Sequence, residues 1–527
     1  MRLLALLLVG FVSLSAQVRP VRLSVPMMHN GINPLIIYTE DQLLPLDLIF
    51  DRLVTMDGQG NFQPQILERW TLSADMREAQ LEVRKGLQWQ DGSPLTAEDI
   101  LFTWKLLRSP RMKALADNQG ALIPSMEATG PLALRIRSTS PMPSLLAELY
   151  NFFPVPRHLY PEVKDPAKHP FTWAPVGCGP YRVKPGATTS RLVLERWEGY
   201  RGPHPGLASG FEFLAQPRTD PELSGMPLGQ RFARLGADLF YNTTWFQNLL
   251  VHRGAPGLES YQVLNGVQDG YEALWFNCDP RKSVMANVRL RQAVANLLPW
   301  DELAQERQVR PVQVAGSLWH PLSWAYDPSP KPLPKPALAA QLLDEAGWRK
   351  GPNGWRSNER GQELVLTFFH VASLSQQPFY RKYMEALVKA GIRVEVRQVT
   401  SAQLQEAEMA GKGDMWTTSW VNNGPDPDGD RLVYVTEGIV SRTNFAGYSN
   451  PEVDRLFETG RTEPDLEVRK EIYRRINRII QRDRPLVLVE YSPTYAVTSK
   501  QLQGAALSPR GSLYGFIPGM RGWRLAP

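Results

Sequence analysis

Apolar and polar positions recur along this chain with two periods, and each period predicts a different element. Residues 81–84 alternate apolar and charged side chains, which is typical of a half-buried strand. Residues 100–107 repeat apolar side chains at helical spacing, which predicts a helix with one buried stripe. Thr96 and Asp99 stand just before that stripe with the spacing of a capping box, so we expect the helix to begin there.

The same two periods predict alternating strands and helices in the C-terminal half. The predicted strands are residues 271–277, 364–369, 392–396 and 486–490, and the predicted helices are residues 338–348, 378–389, 452–457 and 467–482. Alternation of this kind is typical of a lobe with mixed α/β structure. Residues 201–229 are rich in glycine and proline, and we predict that they are mostly loop.

The first residues have the pattern of a secretory signal. Arg2 gives a short positive segment, residues 3–14 form an apolar run, and small residues follow up to Ala16. A membrane-spanning helix needs about 20 apolar residues, so this shorter run predicts a signal peptide over residues 1–16. Gln17 stands where a lipoprotein would carry its lipidated cysteine. We therefore expect a periplasmic or secreted protein that is not a lipoprotein as the sequence stands.

Composition and charge limit the classes of function. A chain of 527 residues exceeds the usual size of one hydrophobic core, so we expect two or three domains. The net charge of +6 is spread among acidic residues and does not indicate a nucleic-acid-binding surface. The seven histidines include no pair at metal-ligand spacing, and no nucleophile or phosphate-binding motif is present. We therefore predict a protein without cofactor or catalytic activity. A secreted hydrolase is one alternative from another class, and a structural or scaffold protein or a binding module of a sensor is the other.

The block of residues 48–104 carries a longer pattern than any of these motifs. Its characteristic residues are Phe50-Asp51, Leu53-Val54, Asp57, Gly60, Pro64, Glu68, Trp70, Ser73, Asp75, Leu81, Arg84-Lys85-Gly86, Asp91-Gly92, Pro94, Thr96-Ala97-Glu98-Asp99 and Phe102. Their order and spacing resemble the signature of the family 5 extracellular solute-binding proteins, the peptide- and nickel-binding components of ABC importers.

The resemblance implies a periplasmic-binding-protein-like fold, α/β with mixed α+β structure, in which two lobes with a hinge contain three domains. It implies a discontinuous first domain, a second domain in the same lobe and a distal lobe, with boundaries at residues 18–57, 165–269 and 491–527, residues 58–164, and residues 270–490. It also implies a monomer that captures a small polar solute and has an ABC transporter permease as its partner. Cys178 and Cys278 would then lie in different lobes, and we expect them to be unbonded.

Residues 414–428 resemble the segment of this family that faces the cleft between the lobes. Trp416 and Trp420 are four residues apart on one strand, so they share a face. We expect one of them to be buried and one to line the cleft. Peptide-binding relatives carry an aspartate at the position of Asn423, where it receives the α-amino group of the ligand. A neutral amide binds an ammonium group more weakly than a carboxylate does, so a peptide and an oligosaccharide both stay open as ligands.

The candidate ligand-binding residues lie in this segment and in a loop near the start of the chain. They are Met28, His29, Asn30, Trp416, Trp420, Asn422, Asn423 and Asp426. The first three follow the first strand of the family pattern, close to where that strand reaches the cleft. His29 is alternatively a surface residue. Asp426 is alternatively a turn or capping residue, because its surroundings are rich in proline and glycine.

Overall fold

A ten-stranded mixed sheet runs through both lobes of the protein. The computed structural model describes residues 19–25, 31–36, 40–109, 112, 123–160, 169–215, 234, 236–241, 259–306, 313–328, 333–371, 378–422 and 424–526. The strands of the large sheet, in spatial order, are Arg393–Val399, Val365–Val371, Met415–Val421, Tyr261–Phe276, Leu486–Ser499, Leu239–Tyr241, Val21–Val25, Gly210–Ala215, Arg191–Arg196 and Tyr181–Val183. We call residues 270–490 the distal lobe and the other described residues the first lobe.

Smaller sheets and helices cover this central sheet. A four-stranded antiparallel sheet consists of Leu67–Leu72, Glu78–Val83, Ala133–Arg137 and Met126–Gly130. Two-stranded ladders join Val54–Met56 to Phe62–Pro64, Arg349–Lys350 to Arg356–Ser357, and Leu502–Gln503 to Arg524–Leu525. The α-helices among the described residues are Glu40–Ile49, Ala97–Leu107, Leu145–Tyr150, Val288–Ala295, Trp300–Glu306, Pro336–Glu345, Pro378–Lys389, Ser401–Ala410, Arg431–Tyr434, Gly438–Ser441, Pro451–Gly460 and Leu466–Asp483. Within the described part of the chain, none of these helices has the length and apolar character needed to cross a membrane.

Two long strands connect the lobes. Tyr261–Phe276 pairs antiparallel with Leu486–Ser499, and the register of that ladder shifts between Val267 and Tyr271. Residues before the shift belong to the sheet of the first lobe, and residues after it pair with Met415–Val421 in the distal lobe. A β-bulge interrupts regular pairing and bends the strand. We call residues 267–271, where the ladder passes from one lobe to the other, the hinge.

Each lobe has its own apolar interior. The first lobe has one large cluster that unites the signature block with strands of the central sheet. The distal lobe has two clusters, one on each face of its sheet, and neighbouring residues Met415 and Trp416 belong to opposite ones. Successive side chains of a strand point to opposite faces, so a strand buried on both faces is apolar without interruption. The segment Met415–Thr417 is fully buried for this reason.

Several predicted elements are confirmed. The strand predicted over residues 81–84 lies in Glu78–Val83, and the helix predicted after Thr96 is Ala97–Leu107. The side chain of Asp99 accepts a hydrogen bond from the backbone N–H of Thr96 at 2.9 Å, as the capping box requires. Cys178 and Cys278 are unbonded, as expected.

Three predicted boundaries are corrected. The strands predicted at residues 271–277 and 486–490 extend far beyond those limits, because residues 261–267 and 493–499 also pair with each other. Pro493 does not break this pairing, since it lies beside the register shift, where the ladder is already interrupted. The segment predicted as mostly loop contains the strand Gly210–Ala215, whose buried Phe211 and Phe213 pack into the first-lobe core.

Candidate functional site

A cavity of about 790 Å³ lies between the two lobes. This volume is within the range of about 300–1,000 Å³ that is typical of small-molecule sites. Both lobes and the hinge contribute to its wall. The lining residues come from within 43–62, 143–153 and 508–516 of the first lobe, from Gln268 and Asp269 of the hinge, and from residues 322–324, 421–422 and 424–426 of the distal lobe. The cavity wall therefore comes from both lobes and from the hinge.

The first-lobe wall contains a buried arginine. Arg52 is 3% exposed, donates to Asp47 Oδ1 at 2.9 Å and to the backbone carbonyl of Tyr150 at 2.9 Å. Its guanidinium lies 4.5 Å from the ring centroid of Tyr150 and 4.3 Å from that of Phe153. Burial lowers the pKa of Arg52, but Tyr150 and Asp47 outweigh that effect and raise it above its ordinary value. Arg52 is therefore a permanent cation whose charge is already balanced within the lobe.

The hinge wall carries a chain of polar contacts. Arg510 of the C-terminal segment forms an ion pair with Oδ2 of Asp269. The other oxygen of Asp269, Oδ1, accepts a hydrogen bond from the side-chain amide of Asn422 at 2.8 Å. The backbone N–H of Asn422 also donates to the carbonyl of Asp269, at 2.8 Å. These contacts form one continuous series from the first lobe through the hinge strand to the end of a distal-lobe strand.

The distal wall contains a third ion pair. Asp426 accepts two hydrogen bonds from Arg469, at 2.6 and 2.8 Å, and its side chain also caps the N–H of Asp428 at 3.0 Å. Arg469 lies 4.8 Å from the ring centroid of Trp324, which lines the cavity. Burial lowers the pKa of Arg469, whereas Asp426 and other neighbours more than compensate and raise it. Asp426 thus combines a place in the wall with the capping role that its sequence context allowed.

Asp57 is the described carboxylate of the wall that has no cationic partner among the ion pairs of the described residues. Its oxygens accept hydrogen bonds from the backbone N–H groups of Asn61 and Gln59 at 3.0 and 2.8 Å, and from neighbouring side-chain amides. The hydrogen bonds from Asn61 come first among the causes that lower the pKa of Asp57. Asp57 therefore stays ionised at neutral pH and organises its own turn.

The predicted site residues fall into three groups. Asn422 and Asp426 lie in the cavity wall. Trp416 is fully buried in the distal core, where its indole N–H donates to the carbonyl of Lys412 at 2.9 Å. Trp420 is partly buried against the same core and is not among the residues that line the cavity. Met28, His29, Asn30 and Asn423 lie outside the described residues.

The position of Trp420 differs from the expectation that one of the two tryptophans lines the cleft. Its indole N–H donates to Asp430 Oδ1 at 3.0 Å, and its ring packs against the core of the distal lobe. Four further residues of the wall were not predicted from the sequence: Arg52, Asp269, Trp324 and Arg510. Arg52 had a detectable signal, since it interrupts an apolar segment. Asp269 precedes a glycine and has the local pattern of a turn, although it lies in a long strand.

The fold and the cavity define a two-lobed binding protein whose site lies between the lobes. The chain belongs to the bacterial extracellular solute-binding proteins of family 5, because the family model described as "Bacterial extracellular solute-binding proteins, family 5 Middle" matches residues 61–440.

Several characterised proteins resemble the chain over most of its length. It is 24% identical over 505 residues to the "Probable deoxycholate-binding periplasmic protein YgiS" of Escherichia coli, covering 89% of this chain and 87% of the relative. It is 21% identical to the "Oligopeptide-binding protein AppA" of Bacillus subtilis, covering 82% and 79%. Among solved structures, NikZ from Campylobacter jejuni in complex with Ni(L-His) superposes with a TM-score of 0.78 at 20% identity, covering 96% of this chain and 99% of that one. The NikZ structure shares its fold with this chain.

Proposed function

We propose that this protein is the exported substrate-binding component of an ABC importer and that it captures a peptide or a similar polar solute by closure of its lobes. The observation that carries the proposal is the cavity of about 790 Å³ whose wall comes from both lobes and the hinge. Hinge closure around a solute is a common way for two-lobed proteins to bind. A permease of the importer would receive the solute. The chain binds and does not catalyse in this proposal.

The chemistry of the wall supports a polar solute with apolar side groups. Aromatic and aliphatic side chains surround the cavity, including Phe62, Trp324 and Phe516, and they suit the side chains of a peptide. Relatives named for oligopeptides and for glutathione support a peptide-like ligand. The oligosaccharide alternative rests on the resemblance at Asn423, a position at which the family pattern implies an aspartate in peptide-binding members.

Calorimetry and small-angle scattering test this proposal with two probes, trialanine and maltotriose. We expect trialanine to bind and to reduce the radius of gyration, because closure brings the lobes together. Binding of maltotriose instead would favour the oligosaccharide alternative. Absence of binding with both probes would contradict the proposal.

A pair of exposed leucines offers a matched control. Leu322 is 58% exposed and lines the cavity, whereas Leu333 is 67% exposed and does not line it. Full burial of a leucine side chain is worth about 1.5–3 kcal/mol, so loss of a partial contact weakens binding by about three- to tenfold. We expect Leu322→Ala to weaken trialanine binding by that factor and Leu333→Ala to leave it unchanged. Equal affinities of the two variants would place the bound probe elsewhere.

A further inference from the structure

Asn422 occupies a junction in the cavity wall. It follows directly after the strand Met415–Val421, so the sheet of the distal lobe fixes its backbone. Its backbone N–H and its side-chain NH₂ both donate to Asp269, each at 2.8 Å. Two bonds to one hinge residue hold this asparagine in a single place.

The carboxylate of Asp269 determines the orientation of the Asn422 side-chain amide. The carboxylate of Asp269 only accepts hydrogen bonds, and its ion pair with Arg510 fixes its orientation. The NH₂ group of Asn422 must therefore face Asp269. The other end of the amide, Oδ1, points away from that contact and cannot exchange places with the nitrogen.

Oδ1 of Asn422 is a buried acceptor that receives no hydrogen bond from any residue the structure describes. Buried polar side-chain atoms nearly always have a partner, because a hydrogen bond left unmade in the interior destabilises the structure. The ion pairs in the wall, Arg52 with Asp47, Arg469 with Asp426 and Arg510 with Asp269, hold their charges within the protein. A neutral acceptor left without a donor is thus an exception in a wall whose described arginines are all paired.

We propose that the solute supplies the missing hydrogen bond: a hydroxyl or N–H of the solute donates to Asn422 Oδ1. Asp269 is the positioning residue that orients the Asn422 amide for this bond. This inference deepens the proposed function and rests on it. The solute therefore carries a donor at the point where it meets the hinge side of the distal lobe. A solute with only acceptors or carbon there leaves Oδ1 buried without a bond and is selected against.

The test compares Asn422→Ala, Asp269→Asn and the double variant by calorimetry, with trialanine as probe, or with maltotriose where only the sugar binds. Asn422→Ala removes the acceptor and should weaken binding by about two- to tenfold, the range for one neutral hydrogen bond. Asp269→Asn removes the acceptor-only carboxylate, so the Asn422 amide can turn over and accept a hydrogen bond from the new NH₂ group; this takes Oδ1 away from the solute and should weaken binding by a similar factor. Because both changes act on the same bond, the double variant should lose little more than either single variant.

Asn358→Ala is the matched control, since Asn358 bonds only within an exposed hairpin of the distal lobe among its described contacts. A crystal structure of the complex should place a donor atom of the probe within about 3.2 Å of Asn422 Oδ1. Unchanged affinity in Asn422→Ala, fully additive losses, or a probe carbon against Oδ1 would overturn the inference. Failure of both probes to bind the unsubstituted protein would instead contradict the proposed function, together with the inference that depends on it.

Discussion

Each lobe buries a carboxylate that does not line the cavity, and the two have opposite surroundings. Asp51 of the first lobe is 1% exposed and accepts a hydrogen bond from Arg521 at 2.7 Å, as well as bonds from an amide and a phenol. Glu408 of the distal lobe is 8% exposed and bonds to Thr418. Its Oε1 atom has no partner among the described residues. Similar burial thus comes with full pairing in one lobe and incomplete pairing in the other.

The difference shows two ways in which a fold can keep a carboxylate inside. Arg521 also donates to the backbone carbonyls of Asp47 and Phe50, so it ties the C-terminal segment to the signature block. Burial lowers the pKa of Arg521, but Asp51 is the largest of the influences that raise it above its ordinary value. No cation among the described residues contributes at Glu408, and burial raises the pKa of that carboxyl from 4.5 to about 7. The buried charge of Asp51 is balanced by the guanidinium of Arg521, whereas Glu408 avoids a buried charge by taking up a proton.

The largest effect is expected where the pairing in the first lobe is broken. Arg521→Met keeps the length of the side chain but leaves Asp51 as a buried charge without its cation. Removal of one partner of a buried ion pair costs about 3–5 kcal/mol. We expect the free energy of unfolding of the first lobe to fall by that amount in urea titrations.

Arg524→Met is the control for this change. Arg524 is exposed, lies three residues away, and donates to Gln503 at 3.0 Å. Exposed polar contacts of this kind contribute little, so we expect a loss below about 1 kcal/mol. If the two variants are equally stable, the counter-ion of Asp51 does not distinguish the lobes.

Glu408→Gln tests the distal lobe and depends on pH. The folded pKa of Glu408 is about 7, above its ordinary value of 4.5, so the folded state holds the proton more tightly than the unfolded chain. Stability therefore falls as the pH rises from 4.5 to 7, and the full penalty is present above pH 7. Glutamine carries no charge and avoids the penalty. We expect the variant to gain up to about 3 kcal/mol relative to the unsubstituted protein between pH 4 and pH 8.

Unfolding in urea at several pH values measures this gain. Glu406→Gln is the control, because Glu406 lies on the same helix, is exposed, and forms an ion pair with Lys412 at 3.5 Å. We expect its stability difference from the unsubstituted protein to change little with pH. A flat difference for Glu408→Gln would show that Glu408 has the same pKa in the folded and unfolded states, which contradicts the expected effect of burial.

Local patterns in the sequence predicted the elements better than they predicted the cavity. The capping box at Thr96 and the strand at Glu78–Val83 depend on neighbours in the chain, so they were visible in advance. The long pairing of residues 261–267 with residues 493–499 depends on contacts more than 200 positions apart, and its Asn, Gly and Pro residues have no strand periodicity. The cavity wall was hard to predict for the same reason, because its residues come from distant parts of the chain.

Asn422 shows why the candidate site was only partly predictable. Its place after a strand was predictable from the segment that resembles the family pattern. Its contact with Asp269 and the ion pair of Asp269 with Arg510 join residues separated by 153 and 241 positions. Trp420 illustrates the converse, because its partner Asp430 lies only ten residues away, yet nothing in the spacing indicates which way the indole turns.

The smallest effect is expected where the two lobes touch. Gly424 of the distal lobe has a φ of +92°, and a Cβ built there would lie 2.6 Å from the side-chain amide of Asn151 in the first lobe. Gly424→Ala therefore adds backbone strain and also a clash that exists only when the lobes meet. The clash is with the end of a flexible side chain, so we expect it to weaken trialanine binding by only about two- to tenfold.

Gly354→Ala separates the two contributions. Gly354 has a φ of +83°, but a Cβ built there meets no atom within 4 Å. Alanine at a positive φ destabilises by somewhat more than about 1 kcal/mol at either position, so both variants should lose similar stability. Only Gly424→Ala should weaken the probe's binding and reduce the change in radius of gyration on binding. Because strain is matched, a loss of affinity confined to Gly424→Ala reports on the meeting of the lobes, and an equal loss in both variants would mean that strain alone sets the effect.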